Sequence, residues 1–186
     1  MRVQKSSCTR KNNITIKKIT VFVESAAPIK DNDNRHIVTI DVGEGTINII
    51  EWNNQEIIES YTNNGSFNEM YFEMSKFLNQ KYGTSLNPND CVDLIRDKKL
   101  NTDNEKNIDI SKDVNSILKG TISNLLSYTG KIDFSGADAI QIFGGGASAT
   151  FDIWKSFFNA AELISNGQFI NQQVYQSIAE ALEDEE

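Results

Sequence analysis

Residues 37–52 read Ile37-Val38-Thr39-Ile40-Asp41-Val42-Gly43-Glu44-Gly45-Thr46-Ile47-Asn48-Ile49-Ile50-Glu51-Trp52. This is the pattern of two strands joined by a tight turn. The first strand is apolar and β-branched and ends in a carboxylate, Asp41. The turn holds two glycines with one residue between them. The second strand alternates, with Ile47, Ile49 and Glu51 on one side and Asn48, Ile50 and Trp52 on the other. Glycines in such a turn let main-chain N–H groups approach an anion, because no side chain stands in the way. A carboxylate at the strand end beside the turn suits a metal ion, or its water, next to a phosphate.

Taken alone, a turn of this kind between apolar strands is an ordinary hairpin. A second glycine cluster about a hundred residues later changes the reading. Ala139-Ile140-Gln141-Ile142-Phe143 runs into Gly144-Gly145-Gly146-Ala147, and a helical pattern follows over 148–158. A buried strand, a glycine turn and a helix N-terminus form a nucleotide-binding corner. The two corners together favour nucleotide binding.

Outward from these corners, Glu56–Tyr61 predicts a third strand, which makes a three-stranded meander, and 62–66 a turn. Residues 67–82 have helical spacing, with Met70, Met74, Phe77 and Leu78 on one face and Gly83 as the stop. A helix starting near Asn87–Asp90 has Val92, Leu94 and Ile95 as its apolar side. Residues 101–107 are a polar loop. The longest helix is expected over 109–128, on the stripe Val114, Ile117, Leu118, Ile122, Leu125 and Leu126, with Gly130 ending it. Residues 133–136 are a turn, 161–164 a last short strand and 172–182 a closing helix. Upstream, 14–16 and 19–23 read as strands, the second ending at Glu24. His36, the one histidine, reads as a lone surface residue.

The chain has 186 residues and a formal charge of -8, with 39% hydrophobic residues, enough for a core. The negative charge argues against a dedicated nucleic-acid or anionic-membrane surface. Cys8 and Cys91 have neither metal spacing nor a disulfide framework, so a reducing cytoplasm is the simplest setting. No stretch is long and apolar enough to span a membrane. Residues 1–13 form a polar, basic leader. The rest, 14–186, reads as one α/β unit in which the helices of 67–100 are a smaller inserted lobe.

The order of parts resembles the second half of the actin, sugar-kinase and chaperone ATPase superfamily. That order is strand-Glu, then Asp-x-Gly-x-Gly-Thr in a hairpin, then helices, then strand-Gly-Gly-Gly-Ala. It is most similar to the ParM-like bacterial actins that segregate plasmids. The resemblance implies a ribonuclease H-like fold with a mixed sheet and flanking helices, and ATP or GTP with Mg²⁺ as cofactors. It implies that Asp41 is the acid acting through Mg²⁺ and water near the β- and γ-phosphates. Gly43, Glu44, Gly45 and Thr46 would form the turn around the phosphates. Gly144, Gly145, Gly146 and Ala147 would pack against purine and ribose, and Glu24 would orient the attacking water. Asn48 stands where an aspartate is common in the family.

The superfamily builds its cleft between two related domains, the first with its own phosphate loop. The dozen polar residues before Ile14 cannot make that domain. The chain is therefore expected to be the second domain alone, either a piece of a longer protein or a half that acts with a partner. Turnover by the chain alone is expected to be poor. Implied partners are identical subunits in a filament and a DNA-binding adaptor, with no direct contact to nucleic acid or membrane, in the bacterial cytoplasm. Two other readings keep the fold: a non-enzymatic interaction or filament-capping module, and a fragment of a chaperone- or sugar-kinase-type ATPase.

Overall fold

The computed structural model describes Ser25 and residues 33–64, 66–173 and 175–176. The expected leader, the strands at 14–16 and 19–23, Glu24 and most of the closing helix lie outside the described residues. Residues 172–173 and 175–176 of that helix are described, and they are helical.

Strand β1 (His36–Val42) pairs antiparallel with β2 (Thr46–Asn53), which pairs antiparallel with β3 (Glu56–Asn64). The meander is therefore as expected. β3 runs three residues further than the sequence indicates, to Asn64. Asn48 and Thr46 carry the ladder outward, and Thr62 donates its hydroxyl to Asn48 Oδ1 at 2.8 Å. On the other side of β1, strand β6 (Ala139–Phe143) pairs parallel, and β7 (Ala161–Leu163) extends the sheet parallel to β6. The mixed five-stranded order is β3-β2-β1-β6-β7. A ribbon of β4 (Lys99–Leu100) and β5 (Ile108–Asp109), missed in the sequence, flanks the expected 101–107 loop.

Helices α1 (Ser66–Tyr82), α2 (Cys91–Asp97), α3 (Ser111–Ser127) and α4 (Ala147–Phe157) share one hydrophobic core with the sheet. α1 presents Phe67, Met70, Met74 and Leu78 at three- and four-residue spacing, and α3 presents Val114, Leu118, Ile122 and Leu125. They meet Val38, Ile40 and Val42 of β1, Ile47 and Ile49 of β2, and Ile140 and Ile142 of β6. Burying each such side chain contributes about 1.5–3 kcal/mol. Phe77 falls off the buried stripe and is 40% exposed. In α2 the buried side belongs to Cys91 and Ile95, and Val92 faces out. Burial pushes the Cys91 thiol up to about 11. α3 begins later than expected because Asp109 accepts the Ser111 N–H and hydroxyl and holds the chain in a turn. Gly83 does end α1, at φ +66, with its N–H on Asn79 O.

At the start of β1, His36 is half-buried rather than a free surface residue. Its Nε2 lies 2.9 Å from Glu51 Oε1, and Glu51 Oε2 accepts the Asp133 N–H at 3.1 Å. Asp138 accepts the His36 N–H at 2.9 Å. The pair thus ties the outer ends of β1 and β2 to the 133–138 turn that leads into β6.

One ion pair joins α1 to α3. Asp113 accepts from Lys81 Nζ at 2.7 Å and from the Tyr82 hydroxyl at 2.6 Å. Burial alone would raise the Asp113 carboxyl, but these donors outweigh it and hold it below the ordinary 3.8. A carboxyl lowered on folding stabilises fully above its unfolded value and loses that contribution as pH falls through the folded value. Asp113→Asn is expected to cost about 1 kcal/mol at neutral pH. Urea melts should show the difference from wild type shrinking as the solution is taken below pH 3.8. An undiminished difference in acid would remove this account.

Candidate functional site

Side chains alternate along β1, so Val38, Ile40 and Val42 enter the main core while Ile37, Thr39 and Asp41 point to the opposite face. There Ile37, Ile50 and Trp52 make a second small cluster, and Trp52 Nε1 donates to Thr39 Oγ1 at 2.9 Å. Asp41 ends this row and is only 8% exposed. β1 and β6 are parallel with Asp41 opposite Phe143, so both strands end at one edge of the sheet. The two glycine turns therefore leave the sheet side by side.

The contact between them is direct. Gly144 has φ +95, and a Cβ there would overlap Asp41 Oδ1 and stand 2.7 Å from Val42 O and 2.8 Å from Val42 N. Gly146 donates its N–H to Val42 O at 2.9 Å. Asp41 Oδ1 thus lies against the backbone of the second corner. Its Oδ2 accepts the Ser25 hydroxyl at 3.1 Å and the Asn171 amide Nδ2 at 3.0 Å.

The hairpin turn closes with Gly43 N–H on Thr46 O at 2.9 Å, and Glu44 and Gly45 stand exposed at its tip. Tyr71 of α1 feels this tip: burial raises its hydroxyl pKa, and the Glu44 charge raises it further. A Cβ added at Gly45 or Gly145 would meet nothing within 4 Å among the described residues. The space beside these two glycines is open to a ligand.

Ala147 is the first residue of α4, and the N-cap Gly146 brings no side-chain cap. The Ala147 N–H donates to Gly144 O at 3.2 Å, so it is the N–H groups of Ser148 and Ala149, with the positive end of the helix dipole, that can face an anion. Beside them is a groove of about 300 Å³. Gly144, Gly145, Ala147 and Ser148 form one wall, and residues 163–167 with Phe169 form the other. Phe169 is 54% exposed and offers an aromatic face. Gly167 seals the base, where a Cβ would come 2.6 Å from Phe143 Cβ. Such a groove, apolar in part and with main-chain donors at one end, suits a flat heterocycle carrying an anionic tail.

Among the described residues no three His, Cys, Asp or Glu side chains converge as a metal cluster. A single carboxylate, Asp41, does not make a protein-only cage. It fits Mg²⁺ that arrives on phosphate oxygens and keeps most of its waters. The structure brings Asp41 together with Gly144, bonds Gly146 to Val42, and places Ala147 at the groove. Sequence reading passed over Ser25, Asn171 and the 163–169 wall. The Asn166-Gly167 pair was a turn signal that marked part of that wall, with Asn166 at φ +56. No helix among the described residues is long and apolar enough to cross a membrane.

Gly144→Ala is expected to destabilise the fold by about 2–4 kcal/mol through strain and overlap with Asp41 and Val42. Gly145→Ala should stay within about 0.5 kcal/mol of wild type. Thermal melts of the two variants check this, and equal effects would contradict the packing described.

No protein-family model matches the sequence, and no curated protein matches it. Solved structures do. A ParM from a 15-stranded filament of Clostridium botulinum is 26% identical, with a TM-score of 0.68 over 91% of this chain and 56% of that one. MreB 5 of Spiroplasma citri bound to AMPPNP is 15% identical, with a TM-score of 0.65 over 87% of this chain and 59% of that one. An archaeal actin homologue is 15% identical, with a TM-score of 0.70 over 85% of this chain and 54% of that one. The chain thus spans a little over half the length of each. The likeness covers 85–91% of this chain, and it shows that the chain has the actin-like fold shared by ParM, MreB and the archaeal actin homologue.

Proposed function

We propose that the chain is the nucleotide-binding half of an actin-like, filament-forming ATPase of a plasmid-segregation system. The observation that carries this reading is the contact of Asp41 with Gly144 at the head of a groove beside the uncapped α4 N-terminus. In the proposed pose the purine and ribose of ATP, or GTP, lie in the groove against Gly144, Gly145, Gly146 and Ala147. The phosphates reach back toward Gly43, Glu44, Gly45 and Thr46. Asp41 meets the Mg²⁺ carried on the phosphates, or its water. That ion, when bound, neutralises charge on the phosphate oxygens. Glu24 orients the attacking water, and its sequence neighbour Ser25 donates to Asp41.

Two of the neighbours support this reading. One MreB structure holds AMPPNP, and the ParM structure is a filament. The proposed partners are identical subunits and a DNA-binding adaptor, and the proposed setting is the bacterial cytoplasm. The charge of -8 leaves DNA to the adaptor. The cleft of the larger assembly would add the other wall of the site, so the chain alone should bind weakly.

Calorimetry with Mg²⁺-ATP, Mg²⁺-GTP and Mg²⁺-AMPPNP tests the proposal. Dissociation constants near the high micromolar to millimolar range are expected, about −4 to −6 kcal/mol, and Asp41→Ala should weaken binding at least about tenfold. No binding at millimolar nucleotide would sink this reading and leave the non-enzymatic interaction module. In an assembly that hydrolyses ATP, Glu24→Ala should lower turnover by about 10²–10⁴-fold at unchanged nucleotide affinity. Full turnover in that variant would remove Glu24 from the mechanism.

A further inference from the structure

Asp41 is held from a direction that the glycine motifs do not include. Its Oδ2 accepts a hydrogen bond from Asn171 Nδ2 at 3.0 Å, across 130 residues of sequence. Asn171 stands in the helical turn that follows Phe169, the exposed ring on the far wall of the groove. That wall is itself pinned to the second corner, since Gly144 N–H donates to Gly167 O at 3.3 Å. The segment 163–171 therefore touches the groove with one end and the carboxylate with the other.

The two carboxylate oxygens have different surroundings. Oδ2 faces the hydroxyl of Ser25 and the amide of Asn171. Oδ1 lies against Gly144, on the side where the turns meet. A carboxylate rotates about a soft terminal torsion, so donors on one oxygen decide where the other points. Among the described residues the buried Asn171 Oδ1 has no hydrogen-bond partner, and the Nδ2 contact is the one that sets the direction of this amide.

We infer that Asn171 is a positioning residue. It fixes the Asp41 carboxylate with Oδ1 turned to the glycine corner, and it couples the orientation of that carboxylate to the wall of the groove. This rests on the nucleotide reading for its functional consequence, though not for the hydrogen bond itself. A ligand that seats against residues 163–169 then steadies Asp41 without touching it, and loss of the amide loosens the carboxylate while the groove remains.

The test compares wild type, Asn171→Ala, Asp41→Asn and the double variant. ATP affinity of each is measured by calorimetry with Mg²⁺ and again in EDTA. Asn171→Ala is expected to lower the Mg²⁺-dependent gain in affinity about tenfold, the lower end of the scale for one hydrogen bond to a charged group. Affinity in EDTA should hold, and the change should add nothing in the Asp41→Asn background. Equal losses with and without Mg²⁺, or additive losses in the double variant, would overturn the inference and make Asn171 a structural residue. A second readout needs no nucleotide. The side-chain NH₂ resonances of Asn171 should move between wild type and Asp41→Asn in proton–nitrogen spectra of the free chain. Resonances that stay in place overturn the inference. If wild type binds no ATP, the nucleotide reading falls, and these resonances alone decide whether Asn171 holds Asp41.

Discussion

The parallel pairing of β1 with β6 is the constraint on which the rest depends. Five residues of each strand are in register, from Ile37 beside Ala139 to Asp41 beside Phe143. Parallel neighbours cannot be joined by a tight turn, so the chain must cross from one end of the sheet to the other. Here the crossing takes in β2, β3, α1, α2 and α3. The helices of that crossing bury their apolar stripes against one face of the sheet. What this brings together at the carboxyl ends of two adjacent strands is the pair of glycine turns in direct contact, at the end of the sheet where open α/β folds hold ligands.

The two faces of the sheet divide the work. Val38, Ile40, Val42, Ile140 and Ile142 look into the common core and give the fold its stability. The residues between them give the other face its polar groups beside the Ile37–Ile50–Trp52 cluster: Thr39 bonded by Trp52, Gln141 with a buried Oε1 that has no partner among the described residues, and Asp41 at the end. At the opposite end of β1, His36 and Glu51 clamp the strand to the turn before β6. β1 is thus fixed at its start by this hydrogen-bonded pair and along its length by both neighbours, and it delivers Asp41 to a defined position.

What could be read from the sequence was what is periodic or local. The 37–52 hairpin announced itself through β-branched alternation and a glycine turn, β6 through a short run of apolar residues, and α1 and α3 through their stripes. The ends were harder. Thr62–Asn64 looked like a turn but is strand, because its partner β2 continues the ladder. In α2 the buried place fell to Cys91 rather than Val92, because the 3-10 turn at Pro88–Asp90 sets the rotation of the helix that follows. Of the candidate site, the two glycine motifs could be picked out in the sequence, whereas their contact follows from strand register, which no local pattern records. Asn171 was invisible for the same reason. An asparagine in a polar run carries no sign that its amide will meet a carboxylate 130 residues away.

Cys91 gives the molecule a built-in reporter. It is wholly buried where α2 meets the core, and its thiol is pushed up to about 11. Only the thiolate reacts with alkylating reagents, so in the native fold this sulfur is shielded both by packing and by protonation. A reagent reaches it when α2 parts from α1 and the core around it opens. The pace of alkylation at Cys91, read apart from Cys8, therefore measures how often that packing opens.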